Sequence, residues 1–409
     1  MNKKNAPLFL SIIILFLIGG PLQLMGIGTP TQMNMLAISL FAAFAAMNYP
    51  ARFGPVQKNS AILGLFCVYT FMTGIINGSN LSGFAVYAYY FLCTYVAIAI
   101  PKLALPVLRV SNNRLFRILI LFVVFEILVA TVQNFLSLQI SAFSKTPLIP
   151  EDVVSGTFYL KSDASLAYFS IFLCITAFSL LRDLRHKLTI MLLSSAIVLL
   201  TQSKSSQGIF LIISMLLLMR SMIVPERKYM NILIMVMPLA IVIALLLFSD
   251  KIVFAGAELS SVLKYAFFSK DKFEEAHRLA PVGELLYGDI KYFGDGLLTY
   301  YNPIEKIWHY YSGFGLFYSL YFDAGIIAIP IFILWVVRFI FSKVKDFFYS
   351  CLYATVIIVY SFFNFTLTDM SLLFSLSLFL SMHQNKLSIH NEKALYLRGQ
   401  GTPSPTWRI

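Results

Sequence analysis

Charge is what this sequence has least of. Asp, Glu, Lys and Arg make up 12% of its 409 residues, where a soluble domain carries about 25%. Hydrophobic residues reach 59%, against about 45–50% in a soluble domain. This deficit and excess exclude a soluble globular protein, a charged disordered chain and a collagen-like repeat. Cysteine is scarce too. Cys67, Cys93, Cys174 and Cys351 lie in or beside apolar runs, with neither a disulfide framework nor a zinc spacing, and read as small buried hydrophobes. The chain also lacks G-x-x-x-x-G-K-[ST], H-E-x-x-H, a D-x-D carboxylate pair and G-x-S-x-G. Nucleotide hydrolysis has no support within the chain, and neither a metal site nor a cofactor is expected.

What fills the sequence is long apolar runs. A bilayer core requires about 20 predominantly apolar residues per helix. Twelve runs qualify, near 8–26, 33–49, 60–77, 83–101, 115–138, 164–181, 187–202, 206–223, 229–248, 313–337, 347–365 and 370–384. The first follows Lys3-Lys4 without a small-x-small cleavage site, and reads as an uncleaved first span. The expected fold is an all-α polytopic membrane protein of about twelve spans. Residues 1–385 would form one transmembrane domain, with outer loops at 139–163 and 249–312, and residues 386–409 a disordered cytoplasmic tail.

The placement of charge tests this layout. With a cytoplasmic N-terminus, the inner segments hold 21 of the 31 basic residues and a net charge of +17, whereas the outer segments carry −3. Every short inner loop is basic, as the positive-inside rule requires. The overall charge of +12 is therefore a topology signal, and no nucleic-acid partner is expected.

The soluble mass lies outside. The segment 249–312 holds thirteen aromatics in 64 residues, enough to build a packed surface. Within it, 258–278 has the pattern of an amphipathic helix, with Val262, Leu263, Ala266 and Phe267 at helical spacing.

Five ionisable residues stand out. Lys204 sits in a polar turn, Gln202 to Gln207, and reads either as a snorkelling lysine or as part of a wet pocket. Arg278 is the one arginine among ten outer basic residues, and a guanidinium is the better fork for phosphate. His309, among interfacial aromatics, is either structural or an acid–base group near neutrality. Glu126 and Asp323 fall inside spans, where each is either a hydrogen-bonded anchor or a site carboxylate facing protein or water.

Three patterns extend this reading: Ser155-Gly156-Thr157-Phe158 leading to Ala167-Tyr168-Phe169; Thr201-Gln202-Ser203-Lys204; and Arg278, Gly283, Gly294-Asp295-Gly296, His309 and Phe322-Asp323-Ala324-Gly325-Ile326-Ile327 in that order. In pattern and topology the chain resembles the bacterial O-antigen polymerase and ligase superfamily of lipid-linked polysaccharide enzymes. It departs from the family pattern at Lys204, where arginine is usual, at Tyr310, where asparagine often follows the histidine, and at Ala328, which replaces a glycine.

The resemblance implies an inner-membrane glycosyltransferase working on the periplasmic side without metal. A growing glycan would leave undecaprenyl diphosphate for the sugar of an incoming lipid-linked repeat unit. Arg278 and Lys204 would stabilise the leaving diphosphate, and His309 would take the acceptor proton. Asp323 and Glu126 would bind substrate, with Tyr292, Tyr300, Tyr301 and Trp308 stacking on sugars or packing at the membrane interface. The implied partners are the lipid-linked oligosaccharide, the lipid bilayer, a chain-length regulator and a flippase. The competing expectations are an O-antigen ligase acting on lipid A-core, a transporter or flippase of lipid-linked oligosaccharide, and a non-enzymatic envelope protein.

Overall fold

The computed structural model describes residues 3–48, 58–108, 112–143, 153–158, 163–222, 253–254, 257–258, 290–298, 301–302, 307–308 and 315–399. Helices dominate. They are α1 (Ala6–Leu24), α2 (Pro30–Asn48), α3 (Lys58–Ile76), α4 (Leu81–Leu108), α5 (Asn112–Phe135), α6 (Ser137–Phe143), α7 (Asp163–Leu180), α8 (Leu184–Leu200), α9 (Lys204–Met222), α10 (Leu316–Ala324), α11 (Ala328–Phe341), α12 (Phe347–Phe363) and α13 (Met370–Gly399). Two short antiparallel ribbons pair β1 (Val253–Phe254) with β2 (Ala257–Glu258), and β3 (Tyr301–Asn302) with β4 (Ile307–Trp308).

Helices α7 and α13 form the centre. Residues 164–178 and 370–383 are buried on every face, which their mostly apolar composition, with small serines between, permits. The two helices pack on each other, α4 covers α13, and α8, α9 and α12 surround α7. Serine and threonine let these backbones approach. Ser377 donates to the Ile98 carbonyl on α4 (2.7 Å), Ser194 on α8 to the Ser170 carbonyl (3.0 Å), and Thr176 shares a hydrogen bond with Tyr353 (2.5 Å). The peripheral helices turn large apolar side chains outward, as with Leu121, Leu128, Val132 and Phe135 on α5. Such a stripe suits lipid, which excludes none of these groups.

Among the described residues, four helices are long and apolar enough to cross a membrane: Ala6–Leu24, Pro30–Asn48, Leu81–Leu105 and Arg114–Phe135. Shorter apolar helices accompany them, among them Ala164–Leu180, Ser205–Ser221, Phe347–Phe363 and Met370–Gln384. The expected span 229–248 and the amphipathic stretch 259–278 lie outside the described residues. Two expectations change. The tenth span, expected unbroken over 313–337, stops at Ala324 and restarts at Ala328, because Gly325 takes φ 85° and ends α10. The tail expected to begin at 386 instead continues α13 to Gly399. No proline or glycine interrupts 386–398, and Glu392, Lys393, Ala394 and Leu395 are good helix formers.

The bundle has two unlike ends. Turns 77–80, 153–158, 201–203, 290–298 and 364–369 gather at one, called here the loop-rich end. Turns 181–183 and 342–346 lie at the other, tied together by Tyr349 donating to the Phe178 carbonyl (3.1 Å) and by the Arg220–Asp346 ion pair (3.6 Å). This second end carries Arg182, Arg185, Lys187, Arg220, Arg338, Lys343 and Lys345. Its acids Asp183 and Asp346 are both helix N-caps, accepting from the Arg185 and Phe348 backbone N–H groups at 3.0 and 2.9 Å.

Candidate functional site

Among the described residues, three buried carboxylates, Glu126, Asp323 and Asp369, lie beside non-helical backbone at the loop-rich end. Such backbone is tolerated at membrane depth only where protein or a wet cavity satisfies its polar groups. The partners of these stretches therefore define what the end of the bundle is built to do.

Glu126 on α5 secures 153–158. Its Oε2 accepts from the Thr157 N–H (2.9 Å), and the Thr157 hydroxyl sits between Glu126 Oε1 and the Phe16 carbonyl. Gln133, two turns along α5, clamps both backbone groups of Gly156 at 2.7 Å. Phe158 then seats edge-on against Phe16, with ring centroids 5.4 Å apart. The loop can lean on α1 because Gly20 has no Cβ; one there would overlap the Phe158 carbonyl. Both Glu126 oxygens are engaged by Thr157, the geometry of an anchor. Gly156 has φ +65°, and a Cβ on it would strike the Glu126 carboxylate. Gly156→Ala is thus expected to lower stability by about 2–3 kcal/mol. Thermal unfolding of the purified protein in detergent checks this, and an unchanged midpoint would show that the loop is not held as described.

Asp323 on α10 belongs to a second assembly. Its Oδ2 accepts from the buried Tyr87 hydroxyl of α4 (2.6 Å). Segment 290–298 lies across this point. The Asp295 and Gly296 N–H groups donate to the Phe322 and Asp323 carbonyls (2.6 and 3.2 Å), and Ile326 N–H donates to the Lys291 carbonyl (2.8 Å). Tyr69 and Asn77 of the α3 end donate to the Ala324 and Phe293 carbonyls at 3.0 Å each. Leu297 fills the notch left by Gly74 and Gly83, and its N–H donates to Ser79 (2.7 Å). Lys291 pairs with Asp295 and lies over the Phe322 ring.

Asp369 is the third carboxylate. It directly precedes α13, and its Oδ1 accepts from Ser371 Oγ (2.8 Å) and the Leu372 N–H (2.9 Å), an N-cap geometry. Its Oδ2 accepts from Ser165 on α7 and from the Tyr360 hydroxyl on α12. Ser165 and Tyr360 are themselves 3.1 Å apart. Tyr168, one turn along α7, packs edge-on against Tyr360 (4.8 Å), and its buried hydroxyl has no hydrogen-bond partner among the described residues. The turn before Asp369 is equally well satisfied. Asn34 donates to the Thr368 carbonyl (2.9 Å) and Thr94 to the Leu367 carbonyl (2.9 Å). The first turns of α7 and α13 thereby meet around one buried set of hydroxyls and a carboxylate. Helix first turns present N–H groups and partial positive charge, which favour an anion.

The sequence-predicted residues distribute as follows. Glu126 and Asp323 are buried in separate assemblies, and no hydrogen bond among the described residues links them. Lys204 opens α9. Tyr292 is exposed, and its carbonyl accepts from Tyr69 (3.3 Å). Tyr301 and Trp308 stand opposite each other in the β3–β4 ribbon. Arg278, Tyr300 and His309 lie outside the described residues. Sequence reasoning missed Asp369, Ser165, Tyr360 and Tyr168. Asp369 passed as one more outer-loop acid, although its position just before a run of apolar residues is an N-cap signal.

Set against known protein families and curated proteins, the chain matches no family model and no curated sequence.

Proposed function

We propose that the chain is a polytopic glycosyltransferase of the bacterial inner membrane, a polymerase of O-antigen type. It extends a glycan carried on undecaprenyl diphosphate by transfer to an incoming lipid-linked repeat unit at the outer, periplasmic face. The observation that carries this reading is the meeting of the α7 and α13 first turns at the Asp369 cluster. It is a locus suited to an anionic diphosphate, and it lies at the end opposite the basic loops. The positive-inside asymmetry turns that end outward.

In the reaction, an acceptor hydroxyl attacks the donor's anomeric carbon. The bond from that carbon to the diphosphate oxygen breaks, and undecaprenyl diphosphate leaves with the electron pair. His309 takes the acceptor proton. Arg278 and Lys204 meet the negative charge that develops on the leaving group, together with the N–H groups opening α9. Cations fixed where charge develops lower the barrier without a metal. The activated donor supplies the driving force, in keeping with the lack of a nucleotide-binding motif. Ser165 and Tyr360, both held by Asp369, offer hydroxyls that orient sugar or phosphate oxygens.

The test is polymerisation by the purified protein on lipid-linked repeat units, with products resolved on a gel. The wild type is expected to give a ladder. Arg278→Ala should reduce the rate about 10²–10³-fold, and His309→Ala about 10²–10⁴-fold. Long polymer from both variants at the wild-type rate would overturn the assignment. Transfer of finished glycan to lipid A-core instead of a repeat unit would make the enzyme a ligase.

A further inference from the structure

The basic end contains a feature that topology alone does not require. Lys343, in the turn between α11 and α12, is only 7% exposed. A lysine that merely serves the positive-inside rule keeps its ammonium in water by snorkelling. Lys343 does not. Its Nζ approaches Gln384 Oε1 of α13 at 3.4 Å, a weak contact, and lies 5.4 Å from the centre of the Phe339 ring. Lys102, exposed on the last turns of α4, faces it closely enough for the two cations to repel. No carboxylate among the described residues pairs with either lysine. The described acids at this end, Asp183 and Asp346, are engaged with His186 and Arg220. Burial, reinforced by Lys102, holds the Lys343 ammonium down to about 8. A covered cation facing a second cation lacks the counter-charge that buried charges ordinarily have.

We infer that Lys102 of α4 and Lys343 of the α11–α12 turn together bind a phosphate group, with the Gln384 amide of α13 as a further donor. The basic end would face the anionic leaflet, so an anionic phospholipid headgroup is the abundant source. Basic pockets between helices on that side are suited to such headgroups. Free phosphate carries the same chemistry. This inference is independent of the reaction proposed for the opposite end.

The experiment uses the full chain in nanodiscs of phosphatidylcholine, with or without phosphatidylglycerol, and a third arm with millimolar inorganic phosphate in phosphatidylcholine. Phosphatidylglycerol is expected to raise the wild-type melting temperature. Native mass spectrometry should show its binding weakened about five-fold by each of Lys102→Gln and Lys343→Gln. Lys345→Gln, on an exposed neighbour in the same turn, should bind as wild type. In phosphatidylcholine alone Lys343→Gln should melt no lower than wild type, because it removes an uncompensated buried charge. A merely structural lysine would lower the midpoint in both lipids alike, and that result overturns the proposal. Should Lys343→Gln fail to fold, Lys102→Gln at its exposed position carries the test. Stabilisation by inorganic phosphate that is lost in Lys102→Gln supports the site and assigns it to a soluble anion. Equal lipid binding by wild type and Lys102→Gln, with no response to phosphate, would refute it.

Discussion

Asp369→Ala should leave the protein about 3–5 kcal/mol less stable, the range seen when one partner of a buried charged network is removed. The size follows from counting what loses its acceptor. The Asp369 carboxylate receives the Ser165, Tyr360 and Ser371 hydroxyls and the Leu372 N–H, drawn from α7, α12 and α13. After truncation Ser165 and Tyr360 can still bond each other, since they already lie 3.1 Å apart. Ser371 and the Leu372 N–H have no such substitute in place, and an unmet buried donor costs about 1–3 kcal/mol. Asp369→Asn separates shape from charge. The amide oxygen can continue to cap α13, while Ser165 and Tyr360 can turn to accept from the new Nδ2 group. Most of the stability should then survive. Thermal unfolding in detergent, followed by tryptophan fluorescence, reads both variants. An Asp369→Ala protein melting with Asp369→Asn would mean that the cluster does not tie the three helices together. If the carboxylate's charge also orders Ser165 and Tyr360 for substrate, Asp369→Asn should polymerise poorly despite its intact fold.

Asp369 also shows where sequence legibility ends. The apolar runs announce helices, and the basic loops sort them into two ends. Neither reveals which helix is central. In residues 164–178 and 370–383 the few polar residues form no single face, so no stripe distinguishes a lipid-facing side from a protein-facing one. Ser377 of α13 looks incidental in sequence and proves to be where α13 meets the α4 backbone. Glu126 and Asp323 were legible as groups requiring protein partners, because lipid exposure is costly. Their partners, Thr157 and Tyr87, lie 31 and 236 residues away, a separation no local pattern encodes. The run Phe322-Asp323-Ala324-Gly325-Ile326-Ile327 stood out in sequence. Its hydropathy hid the helix break at its centre, since Gly325 is flanked by apolar residues that would suit a continuous span.

That break sets the second large effect. Gly325→Ala should undock segment 290–298 and with it one end of the outer loop. Gly325 takes φ 85° and ψ 173°, a region open essentially to glycine alone. Its Cα faces the Tyr292 carbonyl so closely that a Cβ would overlap it. Gly294 approaches from the other side at φ +71°, and a Cβ there would crowd the Asp323 carbonyl and the Ala324 N–H. The two glycines let two irregular backbones touch, and three inter-segment hydrogen bonds at 2.6–3.2 Å follow from that contact. Strain of about 1–3 kcal/mol is added to the loss of those bonds, so about 4 kcal/mol should act against docking. Gly78 supplies the control. It also has positive φ, +64°, but nothing lies within 4 Å of a Cβ built on it, so Gly78→Ala should show the strain alone. Limited proteolysis is the sensitive measure. Gly325→Ala should be cleaved near 290–298 many times faster than Gly78→Ala, with helix content by circular dichroism unchanged in both. If the proposed polymerisation is the protein's activity, it should fall with docking, because Arg278 precedes this segment and His309 follows it in the chain. If both variants resist protease equally, segment 290–298 is held by something other than its seat on the α10–α11 break.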